Sequence, residues 1–235
     1  MNLKTVKSFF FFLPAVAAVF FLFLSAAANA SDFFVDSDGD GYGDTQEIAS
    51  GYSPVNPQNI KIEKSDMDAD GLSDYWELIF KTDLLNADSD NDGFPDGQEI
   101  DFAYNPLSGS KEKLSASVEI NLQDQKLRYL VGGQVWKEFS VSSGKASMPT
   151  PTGTYKIINK VQKAWSKAYG LWMPYWLGLD KGQFGIHELP VWPSGYREGA
   201  AHLGVPVSHG CVRLGVGPAQ YIYERLSVGA TVTIK

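Results

Sequence analysis

A twelve-residue acidic pattern that recurs three times in one register constrains this chain more than any other feature. The copies are D-S-D-G-D-G-Y-G-D-T-Q-E from Asp36 to Glu47, D-M-D-A-D-G-L-S-D-Y-W-E from Asp66 to Glu77, and D-S-D-N-D-G-F-P-D-G-Q-E from Asp88 to Glu99. Their starts lie 30 and 22 residues apart, so the repeat is irregular. Each copy holds five acids, together 15 of the 27 in the chain, a density that repels itself unless cations are bound. Carboxylates at loop positions 1, 3, 5 and 9 converge on one hard cation, and a Glu at position 12 offers a bidentate ligand. The candidate ligands are Asp36, Asp38, Asp40, Asp44 and Glu47; Asp66, Asp68, Asp70, Asp74 and Glu77; and Asp88, Asp90, Asp92, Asp96 and Glu99. Gly at position 6 permits the sharp turn, and Tyr42, Leu72 and Phe94 at position 7 offer their carbonyls. An all-oxygen donor set selects calcium over zinc or copper.

These copies resemble the bacterial thrombospondin type 3 repeats. The resemblance covers residues 31–113 and includes short helical stretches such as Y-W-E-L-I-F between the loops. It implies a calcium-rigidified spacer or surface module. Extracellular calcium modules bind at about 10⁻⁴ to 10⁻³ M, which fits a structural ion better than a signalling one.

Charge divides the chain at the end of this module. Residues 31–113 carry 20 acids and 5 bases, a net of −15, whereas residues 114–235 carry 7 acids and 13 bases, a net of +6. The segment N-P-L-S-G-S-K-E-K, from Asn105 to Lys113, reads as the linker between two domains of opposite sign. An overall charge of −7 disfavours a nucleic-acid partner, and 44% hydrophobic with 13% aromatic residues excludes a disordered acidic tail.

The N-terminus reads as an export signal. Lys4 and Lys7 form a positive region, an apolar run extends from Phe9 to Leu24 broken only by Pro14, and Ala28 and Ala30 form an A-x-A site. That order predicts a signal peptide over residues 1–30, with an uncleaved membrane anchor as the competing reading. The expected setting is the periplasm, cell wall or cell surface, with no transmembrane segment in the mature chain. The single cysteine excludes an intramolecular disulfide framework and any cysteine-rich zinc site.

From Ala116 onward the texture becomes short alternating runs. S-V-E-I-N-L, K-L-R-Y-L-V, V-W-K-E-F-S-V, G-T-Y-K-I-I-N-K and A-T-V-T-I-K read as strands, with G-G at 132–133 as a hairpin turn. P-A-Q-Y-I-Y-E-R-L, from Pro218 to Leu226, reads as a helix with Pro near its start. The expected fold class is mainly β, with a late helix.

Chemistry concentrates in S-H-G-C-V-R-L, from Ser208 to Leu214, and in His187 at the end of the strand-like F-G-I-H. A free thiol has a pKa of about 8.5 and needs a base to become a nucleophile near neutrality. A histidine within hydrogen-bond reach supplies that base and returns the proton to a leaving amine. Gly210 lets backbone approach a reacting carbonyl, where nearby N–H groups offer an oxyanion hole.

With S-S-G-K-A-S-M-P-T-P-T-G-T-Y, M-P-Y-W and G-I-H preceding it in order, S-H-G-C-V-R-L makes residues 116–235 similar to the L,D-transpeptidase family of bacterial cell-wall enzymes. The resemblance implies a β-sandwich-like catalytic domain over 114–235, with Cys211 as nucleophile and His187 as base. Ser208, His209, Gly210 and Arg213 would shape the site, with His209 either orienting the loop or assisting the base. No cofactor is implied for catalysis. The implied substrates are peptidoglycan stem peptides, cross-linked between diamino acids through a cysteinyl thioester. The net +6 of residues 114–235 reads either as a solvated surface or as a means of holding anionic wall polymers. Water as acceptor would give an L,D-carboxypeptidase, and a protein lysine would give wall-protein attachment. A calcium-dependent adhesin with an inactive enzyme domain is the reading from another class, and a papain-like wall hydrolase is disfavoured because His187 precedes Cys211.

Two departures from the family pattern stand out. Glu188 follows His187 where the family often has Gly, and 20 residues separate His187 from Ser208, more than usual. The insert holds Trp192, Tyr196, Arg197 and His202. Trp165, Tyr169, Trp172, Tyr175 and Trp176 read either as core packing or as an apolar wall for substrate.

Overall fold

Alternation of apolar and polar residues builds the first strands. In the computed structural model, which describes residues 34–235, β1 (Ala116–Asn121), β2 (Lys126–Val131) and β3 (Gln134–Ser142) form an antiparallel meander. Val118, Ile120, Leu127, Tyr129 and Val131 turn to one buried face. Full burial of each such side chain contributes about 1.5–3 kcal/mol. The turn between β2 and β3 is at Gly132 and Gly133, both at positive φ, as a two-residue hairpin of this kind requires.

The remaining strands are β4 (Gly153–Lys156), β5 (Asn159–Ser166), β6 (Leu171–Leu179), β7 (Phe184–Glu188), β8 (Val212–Leu214) and β9 (Thr231–Ile234). All nine join one curled sheet in the order β4-β9-β1-β2-β3-β8-β7-β6-β5. The curl centres on β3, which pairs with β2 along its first seven residues and with β8 through Val141 and Ser142. The mainly-β expectation holds.

One expected strand divides in two. G-T-Y-K pairs with β9 on one edge, and the chain crosses at Ile157, so that Asn159 onward pairs with β6 on the other edge. Ile157 is the pivot. It is fully buried, and its N–H donates to Ala230 O at 3.0 Å while that of Ile158 donates to Gly178 O at 2.9 Å.

Three short helices belong to the acidic loops: α1 (Asp44–Ser50), α2 (Asp74–Phe80) and α3 (Asp96–Asp101). Each begins at loop position 9 and carries the position-12 Glu in its first turn. Helices of six or seven residues do not persist alone, so tertiary contacts hold them. Leu72, Ile100 and Ala103 of this module share a buried cluster with the sheet residues, and Trp76 and Phe80 pack against it. Residues 36–235 thus form one compact unit.

The segment Asn105–Lys113 is a closed loop. Tyr104 bridges Lys113, Asn105 N–H donates to Glu112 O at 2.9 Å, and the Lys113 ammonium sits 3.2 Å from the Tyr104 ring centroid. Helix α4 (Pro218–Arg225) packs against β6, β7 and β8, with Ala219 and Ile222 buried. The expected export segment lies outside the described residues. Among the described residues no helix is long and apolar enough to cross a membrane.

Candidate active site

The parallel strands β7 and β8 set His187 opposite Arg213. Residues paired across a ladder share a face, and Cys211 directly precedes β8. All three line a cleft of about 570 Å³. Trp165, Tyr169 and Trp176 line it too, so part of the aromatic cluster is a cleft wall; Trp172 and Tyr175 are not in that lining.

His187 is buried and held on two sides. Its Nδ1 is 2.5 Å from the carbonyl oxygen of Glu188, and its ring stacks on Trp176 with centroids 5.9 Å apart. A carbonyl only accepts, so Nδ1 carries the proton and Nε2 keeps a lone pair. Burial pushes the imidazole down to about 4, the Arg213 charge adds to this, and the bond to Glu188 opposes it. The ring is therefore neutral at physiological pH, the state a general base requires. Burial pushes the Cys211 thiol up, against a Gly185 backbone hydrogen bond and the Arg213 charge, which pull it down. The resting pair is thus neutral thiol and neutral imidazole.

The loop before β8 is fixed from within. Ser208 is fully buried: its N–H donates to Ser143 O at 2.9 Å and its hydroxyl to Cys211 O at 2.5 Å. Gly210 N–H donates to Ser208 Oγ at 3.2 Å. Gly210 has φ 109°, a conformation side chains other than glycine's rarely adopt, which explains glycine directly before the cysteine. The exposed His209 ring stacks on Tyr169, at the β5–β6 turn, with centroids 4.6 Å apart.

The long insert supplies contacts that sequence reading did not identify. Its consecutive residues Arg197 and Glu198 make ion pairs to the two strands that flank the site: Arg197 to the buried Glu188 at the end of β7, and Glu198 to Arg213 of β8 at 3.3 Å. Trp192 Nε1 donates to the other oxygen of Glu198 at 3.0 Å. Glu198 lines the cleft, whereas His202 does not. The signal available was an acid–base doublet in a loop opposite an unexplained Glu188 and Arg213.

The sequence profile of the L,D-transpeptidase catalytic domain matches residues 115–234, and that of the bacterial TSP3 repeat matches 36–51, 66–87 and 88–101. The chain belongs to the L,D-transpeptidase family. YciB of Bacillus subtilis strain 168 is 27% identical over 125 residues, covering 50% of this chain and 64% of that protein. YkuD of the same strain is 30% identical over 97 residues, covering 41% of this chain and 52% of that protein. The chain therefore spans only about half to two-thirds of the length of these relatives. L,D-transpeptidase 3 from Mycobacterium tuberculosis, solved in complex with a faropenem-derived adduct, shares 18% identity, with a TM-score of 0.44 over 53% of this chain and 62% of that one.

Outside the transpeptidase domain, the three acidic loops repeat one geometry. Carboxylate oxygens of Asp36, Asp38 and Asp40, of Asp66, Asp68 and Asp70, and of Asp88, Asp90 and Asp92 gather within 4.8 Å of one another in each loop. The position-6 glycines Gly41, Gly71 and Gly93 have φ of 98°, 94° and 96°, as the sharp turn demands. The position-9 acids close the loops: Asp44 accepts from Ser37, Asp74 from Met67 and Ser53, and Asp96 from Ser89. The position-12 acids are different. Both oxygens of Glu47 and Glu77 and one of Glu99 are buried with no hydrogen-bond partner among the described residues, as is one oxygen each of Asp38, Asp40, Asp68 and Asp90. Burial and neighbouring carboxylates push Glu47 up to about 7, Glu77 to about 8 and Glu99 to about 7. Buried lone pairs without donors fit an oxygen-ligated dication in every loop.

Proposed function

We propose that this chain is an exported peptidoglycan L,D-transpeptidase that works through a Cys211 thioester and carries structural calcium in its three acidic loops. The observation that carries the catalytic reading is the orientation of His187: Nδ1–H is committed to Glu188 O, leaving Nε2 as the basic nitrogen in the cleft that Cys211 lines. His187 Nε2 takes the thiol proton as Sγ bonds to the carbonyl carbon of the diamino acid in a tetrapeptide stem. The C–N bond to the terminal D-Ala breaks, and the imidazolium returns the proton to the departing amine. The amine of a second stem then attacks the thioester and gives its proton to His187, and the thiolate leaves and is reprotonated. The new amide links two diamino acids.

Trp165, Tyr169 and Trp176 supply an apolar wall for the stem, and the net positive charge of 114–235 favours anionic wall polymers. Calcium would be held by the clustered aspartates and the position-12 glutamates, neutralising the charge that otherwise drives the loops apart. Faropenem is a direct probe. Wild-type protein is expected to gain the mass of an adduct on the Cys211 peptide, and Cys211→Ala is expected to gain none. An adduct elsewhere, or none on the wild type, contradicts the reading.

A further inference from the structure

We propose that Asp101, at the end of α3, is a positioning residue that the repeat module supplies to the transpeptidase domain. Through it, cation binding in the second and third loops is coupled to the strands flanking the cleft. The proposal rests on the reading of those loops as cation sites and of Cys211 as the reacting group.

Asp101 stands two residues after Glu99, the position-12 acid of the third loop, on the same six-residue helix. The side-chain donors it binds all come from the β domain. Its Oδ1 accepts from Trp136 Nε1 at 3.0 Å and from the Tyr221 hydroxyl, and its Oδ2 accepts from Arg225 Nε at 3.0 Å and from Arg225 Nη2. The Arg225 guanidinium also lies 3.5 Å from the Tyr221 ring centroid and 4.4 Å from that of Phe102. One carboxylate thus ties α3 to β3 and to α4.

Both ends of that tie lead to functional elements. On the loop side, Asp70 Oδ2 accepts from Gly97 N–H in α3 at 2.7 Å, joining the second loop to the third. Trp76 of α2 packs edge-on against Trp136, with centroids 5.3 Å apart. On the catalytic side, α4 lies against β7, which carries His187, and β8, which follows Cys211. A helix as short as α3 has no independent stability, so the position of Asp101 depends on the loop that starts it. A cation that orders the third loop therefore fixes Asp101, and coupling of this kind is reciprocal: whatever the β domain gains from a fixed Asp101, the loop gains in cation affinity.

The test uses the full exported chain with calcium as the probe. Calcium affinity is measured by calorimetry and Cys211 acylation by faropenem, each for wild type and Asp101→Asn. Wild type is expected to acylate more slowly in chelator than in calcium. Asp101→Asn is expected to bind calcium at least about 5-fold more weakly, although Asp101 is not itself a ligand, and to lose the calcium dependence of acylation. Unchanged affinity together with an unchanged calcium effect on acylation overturns the proposal, as does a wild type that binds no calcium. If Asp101→Asn does not fold in calcium, Tyr221→Phe, which deletes one donor and keeps the ring, is read by the same two criteria. Calorimetry needs no reaction, so absence of wild-type acylation counts against the catalytic reading alone.

Discussion

The Nδ1 of His187 lies 2.5 Å from the carbonyl oxygen of Glu188, its own neighbour in β7. This bond fixes the tautomer of a ring that burial has already made hard to protonate, which leaves it neutral with a free lone pair on Nε2. The Cys211 thiol, which lines the same cleft, is also pushed toward its neutral form.

That arrangement predicts the pH dependence of thiol reactivity. A neutral pair stays neutral above the His187 value of about 4, so between pH 5 and 7 iodoacetamide should modify Cys211 slowly, without a plateau. The rate should climb only as pH passes the ordinary thiol value of about 8.5, because burial pushes the thiol up. A rate already level at pH 6 would mean a thiolate–imidazolium pair and contradict this.

Glu188 is buried with its carboxylate held by Arg197, whose own side chain is 39% exposed. Arg197→Ala leaves that carboxylate without its counter-charge and is expected to destabilise the protein by on the order of 3 kcal/mol. Adding Glu188→Gly to Arg197→Ala removes the stranded charge and should restore part of the loss. Denaturant unfolding decides: a loss within about 0.5 kcal/mol for Arg197→Ala alone, the range of ordinary surface changes, shows that the pair does not matter.

The position-12 glutamates predict how calcium removal interacts with pH. In chelator, Glu77 has a folded value of about 8 against an ordinary 4.5, so the folded state holds a proton that the unfolded chain releases. Stability from this group is full below pH 4.5 and is lost as pH rises through about 8. The melting temperature in chelator should therefore fall from pH 5 to pH 8, and calcium should remove or reverse the trend. A chelator-treated protein that grows more stable over that range contradicts the account.

Sequence reading reached the features whose information is local. Three acidic registers are written in twelve contiguous residues each, and the structure gathers the first three aspartates of each; S-H-G-C-V-R-L holds most of the cysteine loop in seven. It did not reach features that depend on partners far along the chain. Whether residues 153–160 form one strand or two is decided by which sheet edges are free, and Ile157 pivots between β9 and β6. Asp101 and Arg225 are 124 residues apart, and nothing in either neighbourhood specifies the other. A −15 module and a +6 domain read as two bodies joined by a linker, whereas the structure closes that segment into a loop and buries Leu72 and Ile100 in a cluster shared with the sheet.

The most direct measurement is the intact mass of the protein quenched during turnover of a defined tetrapeptide muropeptide, followed by peptide mapping and analysis of the products. The account predicts a stem lacking its terminal D-Ala on the Cys211 peptide of the wild type, no adduct on Cys211→Ala, and dimers joined between diamino acids only with the wild type. Dimers formed equally well by Cys211→Ala, or an acyl group on any other residue, would contradict it.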